Sequence, residues 1–219
     1  MAERLPLFPL GTVLFPGALL PLHIFEQRYR TLVDQREAVD PIFGVVLTRS
    51  GREVGDQPEV HDVGTSASLV EIARLPDGRS NLIVSGSRRF QVLDAEWEDE
   101  CLVASVVWLD NPEGNPETLD EPARRVRALV ARYVAAFAAA MQREIPNPVL
   151  PEEPVAMAYT VASLFPFALR EKQELLASKE AGHMLGMVED GLRRDLALLL
   201  SAGIAGAMPA HPERRFASN

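Results

Sequence analysis

The chain has 219 residues, a single cysteine and a formal net charge of −9. At 47% hydrophobic and 24% charged residues it has the composition of a soluble globular protein, and a chain of this length buries about 70% of its unfolded surface. One cysteine excludes an internal disulfide framework and any multi-cysteine zinc site, and the acid excess argues against nucleic acid or an anionic membrane as partner.

The first long apolar stretch, Leu5–Phe25, has the length of a signal peptide or a membrane span. Pro6, Pro9, Pro16 and Pro21 argue against both, because each lacks a backbone N–H and clashes with a preceding helical turn. The expected structure is a strand over Leu5–Leu10, a bend over Thr12–Gly17 and a strand over Leu19–Ile24. A helix follows over Phe25–Val39, where Phe25, Tyr29, Leu32 and Val33 recur at helical spacing. With no credible targeting segment, a reducing cytoplasm is the default compartment.

Ile42–Thr48 reads as a buried strand and Arg49–Pro58 as a surface loop, with a brief strand over Val60–Val63. Ala67–Arg74 and Asn81–Ser85 flank Leu75–Ser80, in which Pro76, Asp77 and Gly78 supply turn chemistry. Gly86 is expected to break the second of these strands before it resumes at Arg89–Leu93. Leu102–Leu109 is a further strand. Six or seven strands and one helix in this half are consistent with a small closed barrel.

The second half is helical. Asp120 is the expected N-cap of a helix carrying Pro122 in its first turn, with Val126, Leu129, Val130, Tyr133, Val134, Phe137 and Met141 on one face. Arg124, Arg125, Arg127 and Arg132 read as a solvated face. Further helices are expected over Val155–Phe165, Ala168–Ala177 and Lys179–Leu200. In the last, Glu189/Arg193 and Asp190/Arg194 are i, i+4 pairs, and Gly182, Gly186 and Gly191 are spaced for close packing. The division implied is a barrel over 1–112, a helical bundle over 118–202 and a disordered tail over 203–219.

Chemistry is sparse. No GxxxxGK[ST] phosphate loop and no GxSxG elbow are present. His23, His61, His183 and His211 share no metal-ligand spacing with one another or with Cys101. Glu96, Glu98, Asp99 and Glu100 alternate around Trp97 as an exposed strand end, and Cys101 beside acids reads as an inert thiol. No catalytic residue, metal site or cofactor site is expected. Glu26 is expected to pair with Arg89 or Arg28 and lock the helix to the barrel wall.

Several ordered motifs resemble one family. PLFPL at Pro6–Leu10 (with Pro9), FPG at Phe15, Pro16 and Gly17, PL at Pro21–Leu22, and FExRY at Phe25, Glu26, Arg28 and Tyr29 are similar to the start of the Lon N-terminal domain. That domain is the substrate-binding portion of Lon proteases. The likeness continues in the GTxAxxVEI of Gly64–Ile72, in LPDGR with Asp77 and Gly78, in GxxRF at Gly86, Arg89 and Phe90, and in Ala104–Val106. It extends to Ala158–Leu164 and to the EKQ of Glu171, Lys172 and Gln173. Ala177 departs from the family's usual acid, and His183–Leu185 from its usual Arg–Leu pair. The resemblance implies an α+β fold: a PUA-like β pseudobarrel with one inserted helix, followed by an α-helical bundle. It implies that these motif residues are structural. It also implies a non-catalytic recognition module for a polypeptide client, a stand-alone copy serving as adaptor or regulator in protein quality control. RNA binding, or a small ligand in a barrel pocket, are the alternatives.

Overall fold

The structure is a computed structural model describing residues 2–50, 57–98, 100–201 and 217–218. The chain divides into two compact units, Met1–Asp110 with Arg214–Asn219, and Asn111–Glu213.

The first unit contains β1 (Glu3–Leu10), β2 (Leu19–Ile24), α1 (Gln27–Arg36), β3 (Phe43–Ser50), β4 (Glu59–Val60), β5 (Val63–Arg74), β6 (Ser80–Glu98), β7 (Cys101–Trp108) and the two-residue β8 (Ala217–Ser218). β1 pairs with β3 in parallel and with β7 antiparallel. β3 pairs with β5, β5 with β6, and β6 with β7, all antiparallel, so five strands close into a ring. The sheet thus loses most of its free edges, the usual hazard of an all-β layer. β2 and β4 add to the outside of this ring on β6 and β3. β8 pairs with Leu22 and His23 of β2.

The near-continuous hydrophobicity of β1 follows from burial on both faces. Leu5 and Leu7 pack with Phe90, Leu102, Ala104 and Val106. Phe8 and Leu10 pack with Tyr29, Leu32 and Val33 of α1 and with Phe43 and Val45 of β3. The Phe8 ring lies 4.3 Å from Tyr29 and 4.9 Å from Phe43, centroid to centroid.

Two expectations are corrected in this unit. The helix is shorter than the apolar spacing suggests, spanning Gln27–Arg36, because Glu26 takes extended geometry as its N-cap. Gly86 does not break a strand. β6 runs unbroken for 19 residues, and Gly86 is where it meets the Phe15–Ala18 turn. The Gly86 N–H donates to the Ala18 carbonyl at 2.9 Å and its own carbonyl accepts from Gly17 at 2.8 Å. A Cβ on Gly86 would stand 2.2 Å from the Phe15 carbonyl oxygen. The requirement is therefore space, not conformation.

The second unit holds α2 (Pro116–Met141), α3 (Pro154–Leu164), α4 (Leu169–Ala177) and α5 (Ala181–Ser201). α2 starts earlier than expected. Asn115, not Asp120, is the N-cap, accepting from the Glu117 N–H at 3.1 Å, and Pro116 fills the first turn. Pro122 consequently lies inside the helix. The arginines are not one solvated face. Arg127 donates to the carbonyls of Leu150, Pro151 and Glu152, and Arg125 pairs with the buried Glu189 at 2.9 Å. Glu189 also pairs with Arg193, as expected, whereas Arg194 pairs with Glu171 and Asp195 rather than with Asp190. Of the three glycines, Gly191 packs closely, its missing Cβ leaving room for the Phe167 ring; Gly186 faces open space. The expected tail over 203–219 lies outside the described residues except for Ala217 and Ser218.

Glu171 joins two helices. It accepts from the Ala168 N–H at 3.0 Å at the start of α4, and both its oxygens meet the Arg194 guanidinium of α5. That hydrogen-bonded arginine holds the Glu171 carboxyl below its ordinary value. Lys172 beside it is half-buried, and burial lowers its ammonium from the usual lysine range. Gln173 is buried.

Two tests follow. Gly86→Ala should destabilise the protein by about 1–3 kcal/mol, the ordinary cost of overpacking, measured by denaturant unfolding. A carboxyl lowered on folding stabilises above its ordinary pKa, and that contribution disappears as pH falls through the lowered value. Glu171→Gln should therefore be less stable than the parent at neutral pH, and the gap should close on acidification in thermal melts run across the acid range.

Candidate functional site

In the local three-strand layer β5–β6–β2, side chains alternate between the core and the opposite, outer face. Leu82 and Val84 of β6 and Leu22 and Ile24 of β2 are fully buried. Their neighbours Ile83, Leu19 and Pro21 therefore point outward. Pro21 pairs across to Ile83, and Leu19 to Ser85. On β5 the register shifts between Leu69 and Glu71, which inserts Val70 as an extra residue between Leu69, opposite Val84, and the exposed Glu71, opposite Ile83. Leu19 is 64% exposed and Val70 58% exposed. Leu19, Pro21, Val70 and Ile83 thus form an apolar patch on the outer face of the layer, with Glu71 beside it on β5.

The patch has a polar border. Ser68 and Ser85 pair at one end. At the other, the His23 Nδ1–H donates to Asn81 Oδ1 at 2.7 Å, and Arg79 approaches His23 Nε2 at 3.3 Å. Phe25 stacks on His23, centroids 6.0 Å apart. Arg79 is held by Asp77 at 2.7 Å, and this hydrogen bond keeps the Asp77 carboxyl below its ordinary value. Gly78 takes φ +81° in that turn, and Arg30 of α1 lies where a side chain would begin. The LPDGR turn is thus fixed from both sides.

A second concavity, about 600 Å³, lies between α1 and the β6–β7 hairpin. Here the structure decides the partner of Glu26. Its carboxylate pairs with Arg28 at 3.0 Å, and the two side chains are only 14% and 8% exposed. Arg28 also donates to the Glu100 carbonyl at 3.2 Å and lies over the Tyr29 and Trp97 rings. Arg89 is elsewhere: buried, it donates to the Asp110 carbonyl, and its own carbonyl accepts from Leu109 at 2.9 Å. Cys101 lines the concavity with its thiol donating to the Arg28 carbonyl at 3.7 Å.

The remaining motif residues are distributed through the first unit. Pro9 is buried in β1, and Phe15 is fully buried beside the half-buried Pro16 in the turn that contacts Gly86. Phe90 fills a slot between Gly44 and Gly64, where a Cβ on either would meet its ring at 2.6 Å. Among the motif residues, Pro21 and Val70 lie in the apolar patch, and Phe25, Glu71 and Asp77 stand at its border. Of its apolar centre, Val70 falls within the GTxAxxVEI motif, whereas Leu19 and Ile83 were not singled out by the sequence. The available signal was apolar residues at both phases of strands whose other phase already fills the core.

A third concavity of about 570 Å³ in the second unit is walled by Leu119, Ala123 and Val155, with Arg124 and Arg127 beside it. Among the described residues no group of three or more His, Cys, Asp or Glu could hold a metal, and no helix is long and apolar enough to cross a membrane.

The family model of the ATP-dependent protease La (LON) substrate-binding domain matches residues 4–194. Lon protease 2 of Syntrophobacter fumaroxidans is 26% identical over 199 residues, covering 90% of this chain and 25% of that protein. Lon protease of Escherichia coli K12 is 27% identical over 207 residues, again 90% of this chain and 25% of the relative. The chain thus spans about a quarter of the length of the curated relatives it matches. The crystal structure of a Lon N-terminal domain protein from Xanthomonas campestris superposes with a TM-score of 0.64 at 25% identity, covering 85% of this chain and 96% of that one. The N-terminal domain of Mycobacterium avium complex Lon protease shares the fold, with a TM-score of 0.57 at 19% identity over 87% and 98% of the two chains. With the match running through both units, this chain belongs to the Lon substrate-binding domain family.

Proposed function

We propose that this chain is a non-catalytic recognition module for polypeptides that expose apolar segments, acting as an adaptor or regulator in protein quality control. The observation that carries the reading is the apolar patch of Leu19, Pro21, Val70 and Ile83 on the outer face of β5, β6 and β2, in a chain of this family. A patch that the fold leaves uncovered, bordered by polar groups, is the surface chemistry of a protein-binding site. An unfolded client offers scattered apolar side chains, and a flat face accepts them without demanding one sequence. The match to the substrate-binding part of Lon alone supports a role in binding rather than in catalysis. The RNA alternative lacks support: the chain carries 31 acids against 22 bases, and phosphate recognition needs the opposite balance.

The test is binding of a permanently unfolded polypeptide, reduced and carboxymethylated α-lactalbumin, by fluorescence anisotropy. Combining Leu19→Ser with Val70→Ser should weaken binding about tenfold, a loss of about 1.4 kcal/mol. Its thermal midpoint should barely move, because both side chains are already exposed. Undiminished affinity would remove the patch from the proposal, and salt-sensitive retention of RNA in place of polypeptide would replace the proposal itself.

A further inference from the structure

β2 is the outermost strand of the layer that carries the apolar patch, and its two edges differ. The Ala18 carbonyl, just ahead of the strand, accepts from the Gly86 N–H of β6. Backbone groups of successive strand residues turn to opposite edges. Leu20, Leu22 and Ile24 therefore turn theirs toward β6, and Leu19, Pro21 and His23 turn theirs to the outer edge. Pro21 suits only that arrangement, because it has no N–H to give to the β2–β6 ladder. The outer edge thus offers the N–H and carbonyl of Leu19 and of His23, with the Pro21 carbonyl between them. Such a row of groups is a template for a further strand.

The fold already uses that template. Ala217 and Ser218 lie along the outer edge in parallel, opposite Leu22 and His23. They belong to the same compact unit as β2 and cover two of its six residues. This pairing is made by backbone in extended form, so it sets no demand on side-chain identity.

The edge and the patch adjoin. Leu19 and Pro21 turn their backbones to the edge and their side chains to the outer face, beside Ile83 of β6. Adjacent strands lie about 4.8 Å apart, and facing side chains about 5 Å apart. Every second side chain of a strand added to β2 therefore stands beside Leu19, Pro21 or His23 and extends the apolar face. In the parallel direction taken by Ala217 and Ser218, residues opposite Leu19, Pro21 and His23 present side chains to that face. The residues between them turn their backbones to β2.

We propose that the outer edge of β2 receives an extended segment of a polypeptide client as an added parallel strand, its alternate apolar side chains on the patch, and that Ala217–Ser218 occupies this edge until a client displaces it. This deepens the polypeptide-recognition reading and rests on it. Backbone pairing supplies affinity for any extended chain, and the patch selects chains with apolar residues at alternate positions.

The probe is a labelled nine-residue peptide with valine at alternate positions and serine between, titrated by fluorescence anisotropy beside carboxymethylated α-lactalbumin. It is made unmodified, N-methylated at the serines, and N-methylated at the valines. With valines on the patch, the serine N–H groups face β2, so serine methylation should weaken binding about tenfold and valine methylation should leave it nearly unchanged. Ala217→Pro combined with Ser218→Pro removes both N–H groups of the internal occupant and should tighten binding of the unmodified peptide about fivefold. Equal affinities of the two methylated forms, weakening confined to the valine form, or no gain in the proline protein overturn the edge assignment. Should the proline protein dimerise in light scattering with its peptide affinity unchanged, a second copy is the occupant and the assignment is likewise overturned. Should α-lactalbumin bind while the unmodified peptide does not, the edge assignment alone fails. Should neither bind, the recognition reading fails and the edge assignment with it.

Discussion

The absence of a side chain at Gly86 is the constraint on which the first unit depends. β6 must serve three neighbours along its length: β5 and β2 over Ser80–Ser85, then β5 and β7 farther on. At the change of partners the Phe15–Ala18 turn crosses directly over the strand, and its carbonyls and N–H groups bond to Gly86 itself. Any Cβ would occupy the space of the Phe15 carbonyl. The approach brings Phe15 into the core and sets β2 against β6 in a register that buries Leu22 and Ile24. Once β2 is placed, α1 must return across the ring to β3, and Tyr29, Leu32 and Val33 are delivered onto Phe8. The FPG and GxxRF motifs, about seventy positions apart in sequence, are thus the two halves of one contact.

The same placement creates the candidate patch. A strand added to the outside of a ring has one face on the core and one without a partner. β2 satisfies the first with Leu20, Leu22 and Ile24 and leaves Leu19 and Pro21 on the second. The bulge in β5 adds Val70 to that outer surface without disturbing Leu69, which stays against the core. Apolar exposure here is a product of register.

Much of the fold was legible. Proline spacing excluded a long N-terminal helix, alternation marked the strands, and β2 has the bounds its sequence pattern suggests. What failed did so for identifiable reasons. Gly86 was read by its weakness as a strand former, when its role is to admit another backbone. Asp120 and Asn115 are both good caps, and the choice went to Asn115, followed by Pro116 at the first helical position. Arg28 and Arg89 are both basic and both in family motifs, and only folding shows that Arg28 reaches Glu26. The motif residues proved poor guides to the candidate surfaces, since most of them are buried or locked in turns. Leu19 and Ile83 carry no motif, and the motif that holds Val70 does not mark it as surface, because an apolar residue on a strand looks alike whether it faces the core or water.

Burial and exposure separate what holds this protein together from what it offers to a client. Phe15, Phe90 and Gly86 are packed so closely that any change is transmitted to the backbone, and they can contribute to binding only through the shape they enforce. Leu19 and Val70 gain little on folding, since more than half of each stays in water, and so their chemistry is free to be set by what they meet. In the proposed role, an occupant that covers this face takes its apolar area out of water, so binding draws on a cost the folded chain already carries.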